Sequence, residues 1–156
     1  MAYQKLQASR ALVVHTSDTI DVPNPGAGGI VSTTTGSAAG KLIDTTQDFI
    51  EAGVKIGDII YSGGPTVATV TAVDSATQLS VTTAVGPGRA YTLYSSVDLP
   101  NNGCVLYVGG AGDVELITAG GDDLIFTGVP AGSFMPVQVK RVKATSTTAT
   151  GIIALW

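Results

Sequence analysis

The stretch "TVATVTAVD" (66–74) alternates with a period of two. Val67, Thr69, Thr71 and Val73 fall on one face, and Ala68, Val70 and Ala72 on the other. Branched residues at this spacing crowd a helix but fit a pleated surface, so the stretch reads as a strand. Comparable short runs recur along the 156 residues, separated by turns that draw on 20 glycines. Good helix formers are scarce: Glu occurs twice, Met twice and Lys five times. The expected class is all-β, and a chain of this length can bury a core without metals or disulfides.

Three segments emerge. Residues 1–30 hold one apolar strand, "ALVVH" (Ala11–His15), followed by the Pro- and Gly-rich "TSDTIDVPNPGAGG". Residues 31–95 read as a small β unit with one short helix. Asp44 is its expected N-cap and Gln47 completes a capping box; Phe49 and Ile50 face inward, and Gly53 closes the helix. Strands are expected at 58–61, 66–74, 78–84 and 90–95, with turns at 74–77 and 85–89. Residues 96–156 are again all strand: 104–108, 113–118, 123–128, 134–144 and the terminal "IIALW", with Pro136 forcing an edge or a bulge. "SDTIDVPNP" (17–25) and "SSVDLPNN" (95–102) echo one another. The echo is consistent with an insertion: residues 1–30 and 96–156 form one antiparallel β-sandwich or barrel, and 31–95 sit inside it as a second domain.

Charge narrows the function. Charged residues make up 13% of the chain, about half the usual share. The net charge is −4 and the pI about 4.6. The one basic cluster, Lys140, Arg141 and Lys143, points to mixed faces of a strand, so no nucleic-acid partner is expected. No 18-residue apolar run and no apolar signal core occur, so neither a membrane partner nor a cleaved leader is expected.

Chemistry is equally thin. Cys104 is the single cysteine and sits in an apolar run, as a small core residue would. His15 is the single histidine, beside Ser17 and Asp18, but neighbours in one segment seldom converge as a triad. One Cys and one His cannot make a zinc site. Asp113, Glu115, Asp122 and Asp123 bracket a hairpin without EF-hand spacing, and hairpin-tip acids are usually turn formers. A glycosidase cleft would want more aromatics than the 6% present. "GGAGD" (109–113) and "GSAAGK" (36–41) lack phosphate-loop context and read as turns. No enzyme activity, metal or cofactor is expected.

A surface so poor in charge is suited to packing against other chains, and fixed oligomers hide β-edges. Tyr91, Tyr94, Phe134, Met135 and Trp156 are the candidate contact residues. Trp156 closes either its own core or a seam between copies.

The phrases "LYVGGAGDV" (106–114), "GGDDLIFTGVPAGSFMPVQVKRV" (120–142) and "TTATGIIALW" (147–156) carry a resemblance. Together with "SDTIDVPNP", they resemble a family of small tailed-phage virion proteins that includes the spike base proteins of phage-like gene transfer particles. Residues 31–95 depart from the compact family members. Their "LID" (42–44), "GVKIGDII" (53–60) and "ATVTAVDSATQLSV" (68–81) resemble a unit recurrent in phage structural proteins. The resemblance implies a virion protein made in a bacterial cytoplasm. Its expected role is a capsid cement, or decoration, protein that binds the major capsid protein where subunits meet, as a homo-oligomer and most simply a trimer. A head spike or fibre base, or a neck or tail component, is the alternative it leaves open.

Overall fold

A computed structural model describes residues 8–27, 29–63 and 66–156. Strands account for 48% of the described residues, about twice the usual share, and among these residues no α-helix forms. The class is all-β: two six-stranded antiparallel sheets, one of them curled into a half-barrel. The chain divides into two compact units, residues up to Val22 with Asn102–Trp156, and Pro23–Asn101.

The first unit holds β1 (Ala11–Val13), β8 (Cys104–Gly110), β9 (Gly112–Thr118), β10 (Asp123–Val129), β11 (Ser133–Val142) and β12 (Thr150–Leu155). Their order is β1-β12-β8-β11-β9-β10. Alternation sends one side of each strand into a shared core: Cys104, Leu106 and Val108 from β8, Val114 and Leu116 from β9, Met135 and Val139 from β11, Ile152 and Ala154 from β12. β1 pairs with β12, Ala11 opposite Leu155 and Val13 opposite Ile153. Pro136 lies inside a sheet, between β8 and β9. The ladder tolerates it because the register with β8 shifts between Met135 and Val139, which makes it a bulge and not an edge.

The second unit holds β2 (Ile30–Thr33), β3 (Lys41–Ile43), β4 (Ile59–Ser62), β5 (Val67–Ser75), β6 (Gln78–Val81) and β7 (Ala90–Tyr94), ordered β2-β7-β4-β5-β6-β3. Leu42, Phe49, Ile60, Val70, Leu79 and Leu93 fill its core. Strands β2 and β3 were not anticipated from sequence; both are short and lack a long alternating run. The dividing lines also differ from 30/31 and 95/96. Ile30 pairs with Leu93 in the second sheet, and Ser96 and Asp98 bond Asp58 and Lys55 there. The two echoing Pro-Asn segments are where the chain passes between the units.

The expected helix after Asp44 does not form. Asp44 Oδ1 does cap, accepting the Thr46 N–H at 2.9 Å. But the Phe49 N–H donates to the Ala76 carbonyl at 2.7 Å, so it cannot extend a helical ladder. Asp48 then starts a second turn, accepting the Ile50 and Glu51 N–H groups. Two capped turns stand in place of one helix. Phe49 is fully buried, whereas Ile50 points outward at 62% exposure and not inward. Gly53 does end the second turn at φ 72°, a conformation that favours glycine.

Candidate interaction surface

The inner side of the first sheet is core, so its outer side would ordinarily carry polar residues. It does so around β9, where Glu115 bonds Lys143, but not along the paired residues that run from β1 to the start of β11. Paired residues in an antiparallel ladder point to the same side. Val13 lies opposite Ile153, Ile153 opposite Tyr107, and Tyr107 opposite Phe134. The row crosses four strands without a charge. A second row, Ala11, Leu155 and Val105, runs beside it. The Tyr107 and Phe134 rings pack with centroids 5.2 Å apart. Val13 and Phe134 are open to solvent, at 60% and 65% exposure.

The candidate contact residues separate on this frame. Phe134 lies on the outer row. Met135, its neighbour, points the other way and is buried in the core of the first unit. Tyr91 is also withdrawn from solvent. It is buried in the second core, and its hydroxyl donates to Asp44 Oδ2 at 2.9 Å. Tyr94 is half-buried and meets Tyr61 edge-on at 5.9 Å. Trp156 packs against the first core with Leu12 and Val14, and its indole N–H is buried with no hydrogen-bond partner among the described residues. Val13, Tyr107 and Ile153 were missed. Each sits in an ordinary apolar strand, and only the register shows that they join Phe134.

The residues weighed for chemistry are occupied separately. Asp18 accepts the Ala144 and Thr145 N–H groups and the Thr145 hydroxyl. The bonds from Thr145, aided by the nearby Lys143 charge, hold its carboxyl below the usual range. Ser17 Oγ accepts the Thr19 and Ile20 N–H groups, closing a turn. Cys104 is buried, with its Sγ 3.2 Å from the Val139 carbonyl. Asp113 accepts the Gly128 N–H, and Asp122 the Thr118 hydroxyl. Among the described residues no group of three or more His, Cys, Asp or Glu is arranged to hold a metal ion. The glycines of "GGAGD" serve close approach: a Cβ on Gly109 would lie 2.8 Å from the Gly151 carbonyl oxygen across the β8–β12 pair.

Compared with known proteins, the chain matches no family model, no curated protein and no solved structure.

Proposed function

We propose that this chain is a structural component of a tailed-phage virion, acting as a capsid cement protein. The reading joins the family resemblance of residues 17–25 and 104–156 to one observation, the uncharged outer row Val13–Ile153–Tyr107–Phe134. A sheet face of this kind gains by being covered, at about 25 cal/mol per Å² of apolar area removed from water. Each contact is modest. Several copies held in one oligomer engage several capsomer sites at once, and effective concentration multiplies the hold. A trimer matches local three-fold junctions of a shell and closes on itself.

The function so proposed is mechanical: the bound copies resist separation of shell subunits. Co-sedimentation of purified protein with emptied phage heads tests it, followed by quantitative mass spectrometry of the particles. Saturable binding, with copies comparable to the major shell protein, is expected. Phe134→Lys should reduce binding at least tenfold while leaving the fold intact. Far fewer copies per particle would favour the base of a head spike. A stable single subunit indifferent to heads would end the proposal.

A further inference from the structure

Lys143, Glu115 and Asp123 come from three adjacent strands or their ends. The Lys143 N–H donates to the Glu115 carbonyl at 2.8 Å, continuing the β11–β9 register of Val142 opposite Leu116. On the other side of β9, Asp123 of β10 lies opposite Ile117, which shares a face with Glu115. All three side chains therefore converge on one side of the sheet. Lys143 Nζ donates to Glu115 Oε1 at 2.6 Å and to Asp123 Oδ2 at 3.0 Å. Glu115 is the middle member and is 9% exposed. Its second oxygen, Oε2, is buried with no hydrogen-bond partner among the described residues. A buried carboxylate with one idle oxygen is an uncommon expense for a plain ion pair.

We propose that this triad is an autocatalytic cross-linking site that joins Lys143 to Asp123 through an isopeptide bond. In the resting pair the lysine is an ammonium, held so by its hydrogen bonds to Glu115 and Asp123. Glu115 takes a proton from Lys143 Nζ and passes one to the Asp123 carboxyl. The Nζ lone pair attacks Asp123 Cγ. The tetrahedral adduct expels one carboxyl oxygen as water, with two of the three ammonium hydrogens. One N–H remains on the new amide, and Glu115 returns to its starting state. No oxidant, reductant or co-reactant is needed. Holding amine and carboxyl in contact supplies an effective molarity of about 10⁵ M or more, which opposes the dilution that disfavours condensation in water. The bond would tie β10 to the end of β11 across β9, and it does not depend on what the chain binds.

Intact-mass spectrometry of the full chain, purified and then held for days at neutral pH, tests the proposal. The expected mass is about 18 Da below that of the sequence, the loss of one water. Proteolytic mapping should then recover a branched peptide joining Asp123 to Lys143. Lys143→Arg keeps the charge without an acylable amine, and Glu115→Gln keeps the shape without the proton carrier. Both should run at full sequence mass. A wild-type chain at full mass overturns the proposal, as does a water loss that maps elsewhere. Unchanged cross-linking in Glu115→Gln removes Glu115 from the mechanism as stated.

Discussion

Asp44 is fully buried, yet among the described residues no Lys or Arg side chain bonds its carboxylate. Its carboxylate is held by neutral donors: Ser32 Oγ at 2.7 Å, the Tyr91 hydroxyl at 2.9 Å, and the Thr46 N–H and hydroxyl at 2.9 and 2.6 Å. Burial pushes its pKa up; the donors from Thr46, Ser32 and Tyr91 together outweigh that and hold it below the usual range. On Tyr91 burial acts first and the Asp44 bond second, and both raise its pKa, so the phenol stays a donor. The four donors come from β2, β7 and the first turn, so one carboxylate fixes three pieces of the second unit. Tyr91→Phe should cost about 1.5–3 kcal/mol, the worth of a hydrogen bond to a charged group. A depressed folded pKa gives stability that is present above the unfolded value, near 3.9, and is lost as pH falls through the folded value. Thermal unfolding should therefore be insensitive to Asp44 down to about pH 5 and should weaken below about pH 4. Asp44→Asn should unfold earlier at neutral pH and show a shallower acid limb than wild type. Parallel acid limbs would show that Asp44 is not among the groups responsible.

At the level of elements, β12 has more than a closing role. It lies between β1 and β8, and contributes Ile152 and Ala154 to the core. Deleting Ile152–Trp156 strips β1 of its partner and exposes β8 along its length. The expected outcome is loss of the first unit's fold, seen as rapid proteolysis within 102–151 and loss of near-ultraviolet dichroism. A truncated chain that keeps a protected first unit would show that β12 is dispensable. Strands such as β5 and β8 could be read in the sequence because alternation is local and each residue states its own side. The helix misreading at Asp44 has a local cause as well: Asp caps a turn and a helix alike, and only Ala76, far along the chain, decides between them by taking the Phe49 N–H. The outer row and the Lys143–Glu115–Asp123 triad were not legible. Both depend on how strands align. Pro136 announces an edge or a bulge in β11, but nothing in the sequence says which residues pair on either side of its register shifts against β8 and β9. Phe134 was found as an exposed aromatic, while Met135 beside it failed, because nothing local fixed which of the two would face the core.

At the level of the whole molecule, the chain leaves the first unit after Val22 and returns to it at Asn102. Both junctions lie along the same strand. The Val22 N–H donates to the Lys140 carbonyl at 3.0 Å, and a Cβ on Gly103 would come within 2.9 Å of Gln138 Cβ. Residues 138 and 140 of β11 are two apart, roughly 7 Å along a strand. The exit and the return are therefore close enough for a short connection to bridge them. Each unit has its own sheet and its own buried cluster, the usual requirements for folding alone. Replacing 23–101 by a short Gly–Ser linker should leave a chain that unfolds cooperatively, with its sheet signal retained. Residues 23–101 expressed separately should do the same. Calorimetry of the full chain should then resolve into the transitions of the two pieces. If the linked first unit shows no cooperative transition while the full chain does, its stability depends on residues 23–101, and the insertion is a structural necessity, not an added module.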